Sequence, residues 1–241
     1  MQGMTDRTQD KPAPSPAARV MGGLRLGSIA GVEVRNDLSL LILFALVTFT
    51  LGAQVFPAWH PDWIAALRWG VALVAAIAFF ASVLAHEMSH ALVGRRQGIP
   101  VRTITLFLFG GMAHMDNEPP SWKTELAMAI AGPIVSILIG IVCLAWVTWS
   151  IGPVTVAGEA QALQLLSQLG PGTTILLWLG WINIVLGIFN LVPGFPLDGG
   201  RVLRSILWGA TGNHRRATHI ASLAGQGFAW LLIAAGFAML L

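Results

Sequence analysis

The chain has 241 residues, of which 55% are hydrophobic and 10% are charged, with a formal net charge of +3 at pH 7. A soluble domain usually carries roughly 25% charged residues, so a chain this poor in charge cannot cover a water-facing surface. Nucleic-acid binding is not indicated either, because the basic residues do not cluster into one patch. We therefore predict a multi-pass α-helical membrane protein whose apolar runs lie in the lipid bilayer.

The N-terminal stretch is polar and rich in proline, with the run Lys11-Pro-Ala-Pro-Ser-Pro16. No cleavable signal peptide is visible in it. Such a composition buries too little apolar surface to fold. We expect residues 1–21 to form a disordered cytoplasmic tail and residues 22–241 to form one membrane-embedded domain.

Five apolar runs follow, and each is close to the roughly 20 residues that a helix needs to cross the hydrocarbon. The predicted spans are residues 38–56, 69–93, 126–149, 174–192 and 218–241. Among the 14 Lys and Arg residues, only Arg68 falls on the opposite side from the others. An excess of these residues marks the cytoplasmic side. We therefore expect a cytoplasmic N-terminus in the cell membrane.

Three stretches lack a helical pattern. Residues 24–34 are broken by glycine, and residues 101–109 are rich in β-formers. Both predict short strands, paired or unpaired, near the cytoplasmic face. Residues 193–200 contain two prolines and three glycines. They predict a re-entrant loop that lines a cavity, since irregular backbone at membrane depth needs protein or water around it.

The second predicted span contains His86-Glu87-Met88-Ser89-His90. Residues four apart share a helix face, so both imidazoles can point at one ion, with Glu87 beside them. Zinc lowers the pKa of a water that it binds to near 7, and a neighbouring carboxylate can take the proton. In a soluble helix this pattern often arises by chance, with solvated histidines. Each ionisable group in a membrane costs about 2.5 kcal/mol or more, so three in one turn favour a metal site.

Two histidines do not complete a catalytic zinc site, which usually has three protein ligands and a water. Apart from Glu87, only Asp198 among the acidic residues lies in an apolar segment that could re-enter the membrane. Its alternative role is to cap the helix that begins near Gly199, a common position for Asp. By themselves the residues favour neither role.

Together these motifs resemble those of the site-2 protease family of intramembrane zinc metalloproteases, in its prokaryotic branch without a PDZ domain. The resemblance covers residues 22–208. It rests on His86-Glu87-x-x-His90 followed by Asn190-Leu-Val-Pro-Gly-Phe-Pro-Leu-Asp198-Gly-Gly, with supporting matches at Phe109-Gly-Gly111, Glu125 and Ala131-Gly132-Pro133.

The resemblance implies a role for each matched residue. His86, His90 and Asp198 would ligate one zinc ion per chain. Glu87 would be the general base and acid, and Asn190 would hold the substrate backbone or the developing oxyanion. An unwound substrate would add as a strand to the edge of residues 101–109.

The implied activity is hydrolysis of peptide bonds in or near transmembrane segments of membrane-tethered regulatory proteins, at a site nearer the cytoplasmic side. The alternative is a metal-binding membrane protein or transporter without proteolysis, which explains intramembrane His and Asp residues equally well. A transporter does not need Glu87 between the histidines, and it often has repeated broken spans, which the sequence lacks. A non-catalytic scaffold is a third alternative. Neither the substrate's identity nor the oligomeric state follows from the sequence.

Further predictions concern residues outside these motifs. Asn183 shares a helix face with Asn190 and either lines the cavity or, as we favour, hydrogen-bonds a neighbouring helix. Gly132-Pro133 predicts close helix packing or a kink. The histidines in connections or at a span edge are expected to be solvated: His60, His214 and His219.

Overall fold

The computed structural model describes residues 24–107, 110–115, 118–152 and 158–239. The predicted tail, residues 1–21, lies outside the described residues. The described part forms these strands and helices: β1 (Leu24–Ile29), β2 (Val32–Asn36), α1 (Leu38–Thr50), α2 (Phe56–Trp59), α3 (Ala65–Arg96), β3 (Val101–Phe107), β4 (Gly110–Met115), α4 (Trp122–Ile151), α5 (Glu159–Ser167), α6 (Pro171–Asn190), α7 (Asp198–Thr211) and α8 (His214–Ala238). A π-helical turn, Leu51–Val55, joins α1 to α2.

Five helical segments are long and apolar enough to cross a membrane: Leu38–Trp59, α3, α4, α6 and α8. The prediction of a five-span helical membrane protein is confirmed. Four spans, α3, α4, α6 and α8, begin three or four residues earlier than hydropathy predicts. In α4 and α6 a capping side chain or a proline fixes where the helix starts. Ser121 accepts a hydrogen bond from the Thr124 amide ahead of α4, and Pro171 begins α6.

Large apolar side chains cover the outer faces of these helices. Trp181 of α6 is 58% exposed and Trp230 of α8 is 70% exposed. Many exposed apolar side chains of this size are typical of a surface that water does not cover. Together with the helix lengths, it places these faces against lipid.

The strands form one four-stranded sheet in the order β1-β2-β3-β4. The outer pairs are antiparallel, and β2 pairs with β3 in parallel. The stretch predicted as one strand from residue 24 is a hairpin, because Ala30 and Gly31 both have positive φ, as a tight two-residue turn requires. Since β3 is paired on both sides, the prediction that it receives a substrate at its edge is wrong, and the edge on that side of the sheet belongs to β4.

The sheet packs beside the C-terminal half of α3. Val32 and Ile104 from the sheet share a buried cluster with Met88 and Ala91 of α3 and with Met128 of α4. All of these side chains except Met88 are at most 1% exposed. This packing fixes the half of α3 that carries the two motif histidines.

The prediction that His60 is solvated is wrong. The residue is 1% exposed, and its ring stacks on Trp63 with centroids 3.8 Å apart. Its Nε2 lies 2.9 Å from Thr174 Oγ1 on α6. Because Thr174 Oγ1 donates to the Gly170 carbonyl, the imidazole is the donor in this bond. A connection that hydropathy places in solvent thus folds back onto α6. By contrast, His219 is exposed, as predicted, and His214 is half-buried.

Burial lowers the pKa of His60 from its ordinary value of 6.5, because the charged imidazolium loses hydration. The unfolded chain therefore binds a proton that the folded chain does not, and the free energy of unfolding falls as the pH drops below about 6.5. We expect His60→Gln to flatten this acid dependence, measured as Tm in detergent from about pH 7 to about pH 5. His219→Gln is the control. If Tm fell with pH as steeply in His60→Gln as in the wild type, His60 would not be the group responsible for the acid dependence.

Candidate metal centre

Helix α3 places His86 and His90 one turn apart on the same face, and α7 brings Asp198 to them. Asp198 Oδ2 lies 3.1 Å from His86 Nε2 and 3.1 Å from His90 Nε2. The histidines are 3% and 6% exposed. The structure thus brings together all three residues that the sequence proposed as ligands.

Asp198 is the first residue of α7 and does not act as its cap. The N-cap position is Leu197, which has no capping side chain. Burial alone would raise the pKa of Asp198, but the hydrogen bonds and charges of the two imidazoles outweigh it and hold that pKa well below its usual value of 3.8. The lowered pKa favours the ionised carboxylate, which is the form that binds a metal.

A tight series of turns between α6 and α7 positions Asp198. Gly199 and Gly200 pack directly on this loop, where a Cβ would lie 2.2 Å from the Val192 carbonyl oxygen and 2.5 Å from the Phe195 nitrogen, respectively. Only glycine fits at these contacts, because real Cβ atoms do not approach so closely. The first turn of α7 is thus held against its own preceding loop.

Helix α4 holds the other nitrogen of each imidazole. His86 Nδ1 lies 2.9 Å from Ser136 Oγ, and His90 Nδ1 donates to the Met128 carbonyl oxygen at 2.6 Å. A neutral His90 then presents a bare Nε2 to the ionised Asp198. Two acceptors 3.1 Å apart need a positive charge, which a second proton on the ring or a cation can supply.

Gly132 of α4 lies directly against the two Nε2 atoms. A Cβ on Gly132 would lie 2.2 Å from His90 Nε2 and 2.5 Å from His86 Nε2. The sequence predicts close helix packing or a kink here, and the structure shows close packing, with this glycine against the two imidazoles of α3. Ligands about 2.1 Å from a tetrahedral zinc ion lie about 3.4 Å apart, close to the observed 3.1 Å. The donor set and its spacing fit a divalent metal ion.

The other proposed functional residues lie outside this cluster of three. Glu87 is half-buried on the same turn of α3. Asn190 ends α6, and its Nδ2 donates to the Leu186 carbonyl oxygen of its own helix. Asn183 is fully buried, yet it donates to Leu179 of its own helix and not to a neighbouring helix as favoured. Its Oδ1 has no hydrogen-bond partner among the residues described.

We expect Ser136→Ala to weaken metal binding by about 10- to 100-fold, because outer-shell partners orient the ligating imidazole. The measurement is zinc affinity by competition with a chelating dye. Ser205→Ala is the matched control, since Ser205 is equally buried and bonds only to the Val202 carbonyl oxygen of its own helix. Equal affinities of the two variants would contradict the role of Ser136.

Comparison with known proteins is consistent with this geometry. The model of peptidase family M50 matches residues 74–234. A putative zinc metalloprotease of Synechocystis is 41% identical over 88% of this chain and 52% of its own length. The putative zinc metalloprotease Rip3 of Mycobacterium tuberculosis is 37% identical over 88% of this chain and 51% of its own length. This chain therefore spans about half the length of these curated relatives.

A solved structure shares the fold. The site-2 protease from Methanocaldococcus jannaschii is 30% identical, with a TM-score of 0.56. The likeness covers 90% of this chain and 85% of that one.

Proposed function

The chain belongs to peptidase family M50, and from this premise we propose that it is an intramembrane zinc metalloprotease. It hydrolyses peptide bonds in or near transmembrane segments of membrane-tethered regulatory proteins. The observation that carries the proposal is the approach of two imidazole nitrogens to one carboxylate oxygen, each 3.1 Å away, between α3 and α7. The membrane-embedded domain that we assign to this activity is residues 22–241.

The metal is zinc, one ion per chain, held by His86, His90 and Asp198. Two imidazoles and one carboxylate are a common ligand set of catalytic zinc, which keeps one position open. Zinc supplies Lewis-acid chemistry there, polarising a carbonyl and lowering the pKa of a water molecule.

Glu87 is the general base and then the general acid. Its place beside His86 puts a carboxylate next to the ligand set, and it is half-buried and not fully solvated. It takes a proton from the attacking water and returns it to the leaving amine. Asn190 holds the substrate backbone or the developing oxyanion. One N–H of its amide is used within α6, and the second N–H is left for the substrate.

The site lies within the membrane, nearer its cytoplasmic side. An even number of spans separates the sheet hairpin β1–β2 from β3 and from α7, so all of these lie on one side. Thirteen of the 14 basic residues flank this side, which supports a cytoplasmic N-terminus. The substrate, locally unwound, adds as a strand to β4, the edge of the sheet that follows α3.

The test is cleavage of a panel of single-span proteins by the detergent-purified protein. We expect cleavage that stops when a chelator removes zinc and returns when zinc is restored. No cleavage of any test protein by a zinc-loaded preparation would contradict the proposal. Zinc flux into proteoliposomes without proteolysis would favour the transporter instead.

A further inference from the structure

A charged pair connects α4 and α7 away from the metal ligands. Glu125, in the first turn of α4, is fully buried. Arg204 of α7 donates to its Oε1 from Nε at 2.7 Å, and Nη2 donates to the same oxygen. Glu125 Oε2 has no hydrogen-bond partner among the residues described. A buried carboxylate is costly without such a partner, so the two side chains depend on each other.

Arg204 also contacts the loop that leads into Asp198. Its guanidinium carbon lies 5.4 Å from the centroid of the Phe195 ring, within the range of a cation–π contact. The Phe195 backbone in turn packs against Gly200, in the first turn of α7. Arg204 of α7 thus contacts both α4, through Glu125, and the loop that precedes α7, through Phe195.

Helix α4 is the common support of both halves of the candidate metal centre. Its Met128 carbonyl and its Ser136 hydroxyl bond to the two imidazoles of α3. Its Glu125 bonds to α7, which carries Asp198. The separation between Asp198 and the imidazoles therefore depends on how α3 and α7 are each fixed to α4.

We propose that Glu125 and Arg204 are positioning residues, which hold Asp198 at the distance from His86 and His90 that the metal requires. The inference rests on the proposed metal centre. Arg204 bonds to Glu125 and the Phe195 ring, so it acts through α7 and its loop. Stability alone gives no need for charge here, because an apolar pair of similar volume is often as stable as a buried ion pair.

The experiment measures zinc affinity by dye competition and the visible absorption of the Co²⁺-loaded protein, which reports the geometry of the ligands. Three changes are compared: Arg204→Lys, Arg204→Met, and the double change Glu125→Met with Arg204→Met. The double variant removes both charges, so it leaves neither one buried alone. Arg201→Met, on the same helix and with the same loss of charge, is the matched control.

We expect the double variant to keep a Tm close to that of the wild type, to bind zinc about tenfold more weakly, and to show a shifted Co²⁺ spectrum. Arg204→Lys keeps part of the zinc affinity that Arg204→Met loses, because lysine keeps the positive charge but lacks the paired N–H donors of the guanidinium. Arg201→Met keeps wild-type affinity and spectrum. In an Asp198→Ala background the effect of the double change disappears, because the pair acts through Asp198.

Two results would overturn the inference. One is a double variant with wild-type zinc affinity and Co²⁺ spectrum. The other is an equal loss of affinity with and without Asp198. None of these measurements needs cleavage, so wild-type protein that binds zinc but cuts no test protein would refute the protease proposal and leave this inference standing. Wild-type protein that binds no zinc would overturn both.

Discussion

Glu87→Gln is expected to bind zinc like the wild type and to lower kcat/KM by about 10²- to 10⁴-fold, the usual contribution of general acid–base catalysis. The glutamine keeps the size of the side chain and its place on α3 but cannot take a proton. The three proposed ligands, His86, His90 and Asp198, are untouched, so the metal should stay. The assay is cleavage of a single-span test protein, with zinc content measured on the same preparation.

Glu159→Gln is the matched control, because Glu159 is exposed in the first turn of α5. It should leave both the rate and the zinc content unchanged. A Glu87→Gln protein that cleaves at nearly the wild-type rate would remove Glu87 from the mechanism. Loss of zinc in this variant would instead assign the carboxylate to the metal.

The second large effect is expected from a single methyl group. Gly132→Ala should abolish zinc binding, with at least a 100-fold loss of affinity, a larger loss than outer-shell changes cause. The new Cβ would lie 2.2 Å from His90 Nε2, in the space that an ion between the imidazoles and Asp198 needs. Alanine is about 1 kcal/mol more favourable than glycine inside a helix, so the helix propensity of α4 does not fall, but the imidazoles must shift to admit the Cβ.

The control for that prediction is Gly70→Ala in α3, where a Cβ meets no atom of the described residues within 4 Å. Zinc affinity and Tm are measured for both variants. Gly70→Ala should bind zinc normally. A Gly132→Ala protein with wild-type affinity would show that the ion does not lie beside this glycine.

Much of the helical frame and part of the candidate site follow from local sequence. Apolar length gives the five spans, and the four-residue spacing of His86 and His90 gives a shared helix face. Asp198 could not be assigned from local sequence, because the residues around it are equally consistent with a helix cap. The resemblance to a family favours a ligand, and in the structure Leu197, not Asp198, stands at the cap position.

The partners that hold the site left no local signal. Met128 contributes a backbone carbonyl, which any residue possesses, and Ser136 is one serine in an apolar helix. Glu125 and Arg204 are 79 residues apart in sequence, and nothing in either neighbourhood points to the other. His60 was misjudged for the same reason, because its partner Thr174 lies on a distant helix. Contacts between elements decide such cases, and periodicity does not report them.

The parallel pairing of β2 with β3 has a consequence for biogenesis. The two strands align from Glu33 opposite Thr103 to Asn36 opposite Leu106, with the whole of the first two spans between them. During synthesis β2 leaves the ribosome long before its partner exists, and closure of so long a loop is slow. The sheet can therefore be completed only after the first two spans have been inserted into the bilayer as a helical hairpin. Until then the β1–β2 hairpin has an unpaired edge, which is open to misassembly.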